Sequence, residues 1–356
     1  MLKIIHTADI HLGSKMEAKL PKEKSEERKA EVRESFERML EYAKTNGVAV
    51  IMIAGDLFDS DRPLKKDKEF FYSAVKNNPE LDFLYLRGNH DGMESYTEDL
   101  PNLKTFSGEW TKYSYGDVDI YGIETAAENA TSMYTTFRAD EQRKNIVMLH
   151  GQVGEVSGVD KVHISKLRDK NIDYLALGHI HSYSREKLDE RGVYSYCGCL
   201  EGRGFDELGE KGFVLLEIQD TIISRFVPHS KRKIEERKVD ITDSADAYVA
   251  YQKTRAYLAG DCQKKDMLRL TLTGDIDFDN ETLAKDIEGY LSSDYYFVSV
   301  KDKTLRRFDV DALAGDISLR GEFIRTVLAS EKWDEEQKRE VIAMGLKALS
   351  GREVDA

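Results

Sequence analysis

The chain contains 356 residues, of which 40% are hydrophobic, and its formal net charge is −13 at pH 7. Its length exceeds that of one ordinary domain and allows a large domain together with a smaller one. The acidic charge argues against a protein that holds nucleic acid by overall positive charge alone. Three cysteines, an odd number without framework spacing, argue against a disulfide-stapled secreted scaffold.

Two features of the sequence bear on its location. The N-terminus runs directly into an apolar segment that predicts a strand, without the basic stretch and longer apolar run of a signal peptide. No segment approaches the roughly 18 consecutive apolar residues of a membrane span. We therefore expect a cytoplasmic protein with no membrane association.

Apolar stretches followed by polar residues dominate the first half of the chain. Five stretches predict buried strands, at residues 2–5, 48–54, 81–86, 146–149 and 172–177. Directly after them come Asp9-x-His11, Gly55-Asp56-x-x-Asp59, Gly88-Asn89-His90-Asp91, His150 and Gly178-His179-x-His181. Helices are predicted at 22–44, 67–76 and 98–105, with a short one at 160–170. This alternation indicates an α/β fold, in which ligands lie just beyond the strand ends, so we expect the polar segments to converge.

The rest of the chain predicts two further parts. Strands at 212–219 and 222–228 close a first domain of residues 1–230. A β-α-β-α-β run suits a small α+β domain of residues 231–305, with strands at 236–241, 267–273 and 295–301 and helices at 243–259 and 280–291. Residues 306–356 are mostly helical, with apolar stripes that fit intramolecular packing as well as a partner: Leu319, Phe323, Val327 and Leu328, then Val341, Ile342, Met344, Leu346 and Leu349.

The polar segments carry metal-binding chemistry. None contains cysteine, which disfavours a thiolate-bound structural zinc, whereas carboxylate, amide and imidazole ligands suit manganese, iron or zinc in a catalytic role. Two divalent ions about 3.5–4 Å apart need a bridging carboxylate, and Asp56 is the candidate because it follows Gly55 after a very apolar strand. Asn89 adds a neutral oxygen ligand. His90 would face a substrate as general acid or charge stabiliser, oriented by Asp91.

Each short motif alone is also consistent with an ordinary solvated or buried residue. The ordered set is more specific, because five of the eight histidines of the chain fall within it. The other three, His6, His163 and His229, match no ligand pattern, and we expect them to be structural or surface residues.

The ordered set resembles the calcineurin-like metallophosphoesterase superfamily. Within it, MLKIIHTADIHLGS, AGDLFDSDRP, RGNHDG and LGHIHSY resemble the SbcD/Mre-type DNA repair nucleases. The segment from Tyr196 to Gly212 resembles the stretch that follows the last histidine pair in that family. The tail segments SLRGEF and GLKAL resemble the small bacterial YhaO-like exonucleases. The resemblance is strong over residues 1–215 and weaker beyond them.

This resemblance implies a β-sandwich flanked by helices, a DNA-capping role for the second domain, and a tail that docks on an SbcC-like coiled-coil ATPase. Helices at 67–76 and 98–105 lie where relatives form a homodimer. His90 would be the catalytic histidine that binds no metal. The resemblance also implies two divalent ions, with Mn²⁺ expected, one held by Asp9, His11, Asp56 and His181 and the other by Asp56, Asn89, His150 and His179.

The implied function is a two-metal DNA nuclease of repair, a 3′-5′ exonuclease or single-strand endonuclease, hydrolysing phosphodiesters with a water activated by the metals. Two alternatives stay open: a phosphoesterase acting on a non-DNA phosphoester, and a non-catalytic DNA-binding scaffold. Asp59 departs from archaeal relatives, which carry a functional histidine there, and leaves the balance of exonuclease and endonuclease action open. Basic clusters at 65–68, 231–233 and 237–238 are either solvated faces or contacts with DNA phosphates.

Overall fold

The computed structural model describes residues 1–16, 20–92, 95–96, 98–156, 158–278, 281–307 and 314–349. The chain divides into two compact units, Met1–Ile234 and Glu235–Ala356. The boundary lies close to residue 230, and Ile234 still belongs to the first unit, where its carbonyl accepts from Gly209 N at 2.9 Å. The separate roles expected for residues 231–305 and 306–356 stay predictions.

Two six-stranded sheets build the first unit, with strands numbered along the chain. The first sheet contains, in spatial order, β14 (Ile222–Pro228), β13 (Gly212–Ile218), β1 (Leu2–Thr7), β2 (Val50–Ala54), β3 (Asp82–Leu86) and β4 (Leu103–Thr105). The second contains β11 (Ser184–Lys187), β12 (Val193–Tyr196), β10 (Tyr174–Gly178), β7 (Lys144–His150), β6 (Val118–Gly122) and β5 (Thr111–Tyr115). Strands β1 to β4 are parallel, as are β6, β7, β10 and β12.

The buried faces of these strands explain their uniformly apolar sequences. Side chains alternate between the two faces of a strand. In β2, Val50 and Met52 pack in the core between the sheets, whereas Ile51 and Ile53 pack in the core on the outer face of the first sheet. Both faces are covered, so the strand shows a continuous apolar run without polar alternation. The predicted sandwich is confirmed.

Two helices, α1 (Lys22–Thr45) and α2 (Lys65–Lys76), belong to the outer core of the first sheet. Phe36 of α1 and Phe71 of α2 are fully buried, with ring centroids 6.2 Å apart. Both share a core with Ile51 of β2. The two helices predicted here are therefore confirmed, and their apolar stripes are what attach them to the sheet.

The helix predicted at 98–105 is wrong. Leu103–Thr105 forms β4, which pairs in parallel with residues 83–85 of β3. Pro101 lacks the backbone N–H that a helix interior requires. The side-chain amide of Asn102 donates to three backbone carbonyls, at 3.0 Å each. These contacts fix the segment as an extended edge of the sheet.

The helix predicted at 160–170 is also wrong. The segment begins as β9 (Lys161–Val162), which pairs with β8 (Gln152–Val153). It continues as one 3-10 turn, Ile164–Lys166. Val162, Ile164 and Leu167 are buried with the outer face of the second sheet, near the short helix α3 (Met133–Thr136). Strand pairing and burial thus override the helical spacing of the sequence.

The second unit has the predicted β-α-β-α-β order. Its three-stranded sheet contains β15 (Ile234–Asp240), β16 (Met267–Thr273) and β18 (Phe297–Asp302), and its helices are α4 (Ala247–Leu258) and α5 (Leu283–Leu291). A second pair joins β17 (Asp275–Ile276) to β19 (Leu305–Arg306). The tail forms α6 (Leu319–Leu328) and α7 (Glu335–Leu349), joined through Ile324, Val327 and Ile342. Leu319 and Met344 of the predicted stripes are 71% and 53% exposed.

A buried charge network fixes α1 against the segment that follows the second sheet. Arg28 is fully buried and donates to Glu31, to Glu201 at 3.1 Å and to the carbonyl of Gly202. Arg232 Nε donates to Glu31 Oε1 at 2.9 Å. Burial alone would raise the pKa of Glu31, but the two arginines hold it below its usual 4.5. The ionised Glu31 carboxylate, paired with these arginines, therefore stabilises the fold above about pH 4.5. This contribution is lost as the pH falls through the lowered pKa of Glu31.

Arg28→Met should destabilise the first unit by about 3–5 kcal/mol, because it removes a buried cation from the carboxylates of Glu31 and Glu201. Urea unfolding followed by circular dichroism measures this loss. Lys29→Met is the matched control, since Lys29 pairs with Glu26 on the exposed side of the same helix. An unfolding midpoint in the Arg28 variant equal to that of the control would contradict the role of the network.

Candidate metal centre

The ends of five strands bring the polar segments together. Asp9 N donates to Gly55 O at 3.0 Å, which joins the loops after β1 and β2. Across the sandwich, His150 Nδ1 lies 2.9 Å from Ala54 O, and His179 N donates to the Asp9 carboxylate at 2.9 Å. Loops of the first sheet are thus joined directly to loops of the second. The convergence expected from the sequence is present in the structure.

Strained backbone marks these loops. Asp9, His11, Asp56 and His179 have φ values of 51°, 52°, 52° and 100°. Residues other than glycine rarely adopt positive φ, and each such conformation costs on the order of 1–3 kcal/mol. The strain directs these four side chains into one small volume, a pattern typical of functional sites.

Two glycines permit the close approach of the loops. A Cβ at Gly55, whose φ is +94°, would lie 2.2 Å from His150 Nδ1. A Cβ at Gly88 would lie 2.2 Å from Asp56 Oδ1. Any side chain at either position would therefore displace a candidate ligand, and this explains why glycine stands beside Asp56 and Asn89.

The first ligand group consists of Asp9, His11 and His181. The Nε2 atoms of the two histidines are 3.2 Å apart, and His181 Nε2 lies 3.9 Å from Asp9 Oδ1. Asp9 and His11 are 1% exposed, so the group lies at the base of the site. Asp56 Oδ2 is 3.9 Å from His11 Nε2.

The second ligand group consists of Asp56, His150 and His179. Asp56 Oδ2 lies 3.4 Å from His150 Nε2. The side-chain oxygen of Asn89 is 2.9 Å from His150 Nε2 and 3.0 Å from His179 Nδ1. Asp56 is therefore within ligand reach of both groups, as the sequence predicts for a bridging carboxylate.

The hydrogen-bond pattern of His150 favours positive charge at this point, carried by a protonated ring or by a metal ion. Ala54 O can only accept, so His150 Nδ1 carries the hydrogen and a neutral ring directs a lone pair from Nε2. That lone pair faces oxygens of Asp56 and Asn89, which are also acceptors. Although burial opposes it, Asp56 raises the pKa of His150 to about 9. A divalent ion in place of the Nε2 proton of the charged ring would be bound by these atoms together, and their oxygen and imidazole chemistry suits one.

His90 and Asp91 occupy different environments. His90 is exposed, its N–H donates to Asp56 Oδ1 at 2.9 Å, and it lines a cavity of about 570 Å³. Asp91 is buried, and its carboxylate accepts from the backbone of Leu57, Phe58 and Gly88 at 2.9–3.2 Å. Asp91 thus holds the backbone of the loop, in place of the expected hydrogen bond to the His90 ring.

Two side chains of the site, Arg203 and Glu207, lie outside the motifs that the sequence offers. Glu207 Oε1 lies 2.6 Å from His181 Nδ1, and Arg203 donates to that same carboxylate oxygen at 2.7 Å. Both residues belong to the segment from Tyr196 to Gly212. Their spacing after the last histidine pair carries no ligand pattern, so the segment marked a resemblance without indicating a role.

The three remaining histidines lie apart from the ligand groups. His6 is fully buried, its Nδ1 lies 2.9 Å from Tyr174 OH, and burial lowers its pKa to about 3. His163 packs against Tyr134, with ring centroids 5.6 Å apart. His229 Nε2 is 3.1 Å from Ser35 O. These contacts are structural, as expected.

Residues 2–183 match the family model described as calcineurin-like phosphoesterase. The match covers half of the chain, and the chain therefore belongs to the calcineurin-like phosphoesterase family. It is a metal-dependent phosphoesterase hydrolase. Among the described helices, none combines the length and apolar composition needed to cross a bilayer.

The chain is also similar to individual proteins of known sequence. The chain is 27% identical to the DNA double-strand break repair protein Mre11 of Sulfurisphaera tokodaii, over 62% of this chain and 60% of that protein. It is also 27% identical to the uncharacterized metallophosphoesterase YhaO of Bacillus subtilis, over 70% and 66%. The Mre11 protein of Saccharolobus solfataricus is 22% identical over 97% and 94%. The chain thus spans less than two thirds of the first two relatives.

Asp56→Asn should reduce metal content at both ligand groups, because only Asp56 is within reach of both. Asp9→Asn should mainly weaken metal binding at the first group, because it removes a carboxylate charge from that group alone. Asparagine keeps an acceptor oxygen for the backbone N–H of His179, so the loop should stay in place. Elemental analysis of Mn²⁺-loaded, dialysed protein should show about two ions per wild-type chain. Two fully occupied sites in the Asp56 variant would rule out its bridging role.

Proposed function

We propose that the chain is a two-metal DNA nuclease of repair, acting as a 3′-5′ exonuclease, a single-strand endonuclease or both. The observation that carries this proposal is that Asp56 lies within reach of both ligand groups and accepts the backbone N–H of His90, a residue that lines a cavity. One ion would be held by Asp9, His11, Asp56 and His181, and the other by Asp56, Asn89, His150 and His179. Bound divalent ions, for which we propose Mn²⁺, supply an activated water and stabilise phosphoryl charge.

The side chains of the chain perform the remaining work. The Asp56 carboxylate accepts the backbone N–H of His90 at 2.9 Å and so fixes the backbone of that histidine relative to the ligand groups. The His90 ring is exposed at the cavity, with its centroid 5.0 Å from that of His11. A phosphodiester in the cavity would meet an imidazole that can donate a proton or a hydrogen bond. This arrangement suits a general acid or charge stabiliser.

The proposal of DNA as substrate is supported by the relatives. Two of the three compared here are named for double-strand break repair, and one aligns with nearly the whole chain, including the second unit. We propose that the second unit caps DNA and that the protein acts in the cytoplasm as a homodimer.

The net charge of −13 favours the alternative, a smaller phosphoester, because it opposes binding of a polyanion.

A partner would relieve that electrostatic opposition. We propose that the tail binds a coiled-coil ATPase of the SbcC kind. In support, the pair α6 and α7 has only a small core, around Ile324, Val327 and Ile342. Ile317, Leu319 and Met344 are 99%, 71% and 53% exposed, which leaves apolar surface for a partner.

His90→Asn should keep both metals and the fold while lowering cleavage by a factor on the order of 10²–10⁴, the usual contribution of a positioned acid or base. The assay compares Mn²⁺-dependent cleavage of single-stranded and linear duplex DNA with cleavage of a small phosphodiester. His163→Asn is a control histidine outside the ligand groups. Loss of metal from the His90 variant would make it a ligand. Wild-type cleavage of only the small ester would favour the alternative substrate, and cleavage of neither would favour a scaffold.

The combined variant Leu319→Asp and Met344→Asp should abolish binding to an SbcC-type ATPase without changing cleavage of a small phosphodiester. Both side chains are exposed, so their replacement leaves the buried contacts of Ile324 and Ile342 intact. Pull-down and cleavage assays measure the two properties separately. Unchanged ATPase binding would show that the tail is not the docking surface.

A further inference from the structure

The two histidines of the first ligand group share an arrangement that the second group lacks. Each places Nε2 toward the ligand cluster and Nδ1 beside a carboxylate. His181 Nδ1 is 2.6 Å from Glu207 Oε1, and His11 Nδ1 is 3.1 Å from Asp59 Oδ1. The first contact is a hydrogen bond, and the second is a contact at ion-pair distance. In the second group, by contrast, His150 Nδ1 faces the backbone oxygen of Ala54.

One guanidinium joins these two carboxylates. Arg203 Nη1 donates to Asp59 Oδ1 at 2.8 Å, and Nη2 donates to Glu207 Oε1 at 2.7 Å. Its Nε reaches the same Glu207 oxygen at 3.0 Å, and its backbone N donates to Glu207 Oε2 at 2.7 Å. The side chain is mostly buried, at 18% exposed. The planar Arg203 guanidinium therefore fixes the orientation of both carboxylates and also balances their negative charge.

We propose that Arg203 is a positioning residue that sets the affinity of the first ligand group for its metal. The inference rests on the metal centre of the proposed function. By holding Asp59 and Glu207 in place, Arg203 keeps a carboxylate oxygen beside Nδ1 of His11 and of His181. Both Nε2 lone pairs then point toward the metal position. Outer carboxylates of this type orient histidine ligands and raise their basicity.

The same contact assigns a role to Asp59. Asp59 also lies near His11 and His90, in a group whose atoms could hold an ion of their own. The Arg203 guanidinium at 2.8 Å places a permanent positive charge beside that oxygen, which opposes a second cation there. Asp59 is therefore an orienting partner of His11, and Arg203 supplies the cation that it needs.

The test measures Mn²⁺ affinity by calorimetry in wild type and variants, with thermal unfolding of the metal-free protein recorded in parallel. Arg203→Met should weaken one of two sites by about 10–100-fold, the usual effect of losing an outer partner, and leave the other unchanged. Arg203→Lys should recover only part of this loss, because an ammonium cannot hold both carboxylates as a fork. Arg62→Met removes an exposed cation from the same cavity and should leave both affinities unchanged.

Glu207→Gln provides an independent check. It should weaken the same site, and combining it with Arg203→Met should add little, since the two residues act as one unit. Unchanged affinities in the Arg203 variant would overturn the proposal. So would an equal loss at both sites together with a lower unfolding temperature of the metal-free protein, which is the signature of a purely structural role.

These readouts separate this inference from the proposed function. If the wild type binds two ions and the Arg203 variant loses one selectively, the positioning role stands even when no DNA is cleaved. If DNA is cleaved but Arg203→Met binds both ions normally, the positioning role fails alone. Binding of fewer than two ions by the wild type would overturn both.

Discussion

The acceptor atoms that converge around Asp56 are the constraint on which the site depends. His150 Nε2 lies 3.4 Å from Asp56 Oδ2 and 2.9 Å from Asn89 Oδ1, and the Nε2 atoms of His11 and His181 are 3.2 Å apart. Lone pairs held this closely repel unless a proton or a metal ion lies among them. The positive φ of the loop residues adds backbone strain to the cost of this arrangement, and the surrounding structure holds the loops in place. Bound divalent ions would relieve this repulsion and would couple the stability of the loops to the metal.

The two-sheet architecture makes this convergence possible. Asp56 and Asn89 come from parallel strands of the first sheet, whereas His150 and His179 come from parallel strands of the second. Parallel strands end at a common edge, and the contact between Ala54 and His150 brings the edges of the two sheets together. Loops of the first sheet supply the carboxylate and amide ligands together with His11, and loops of the second sheet supply the other three histidines. The glycines at 55 and 88 let the loops approach closely enough for Asp56 to serve both ligand groups.

Much of this could be predicted from the sequence, and what could not has physical causes. The strands that precede the candidate ligands are uniformly apolar. Their positions, and those of the loops that follow them, could therefore be predicted. The helix at 98–105 was wrong because Pro101 and the contacts of Asn102 outweigh local spacing. Arg203 and Glu207 could not be predicted, because a residue that orients a metal ligand is defined by its contact with that ligand. No spacing in the sequence encodes such a contact. The alternation of strands and helices is also compatible with one sheet or with two. The expectation of a two-sheet sandwich came from the family resemblance alone.

Electron paramagnetic resonance of the wild-type protein during Mn²⁺ titration tests the central claim most directly. Two Mn²⁺ ions that share the Asp56 carboxylate would lie about 3.5–4 Å apart and interact magnetically. The account predicts that the second equivalent converts the spectrum of isolated ions into that of an exchange-coupled pair. Binding that stops at one ion per chain, or two bound ions with an uncoupled spectrum, would contradict it.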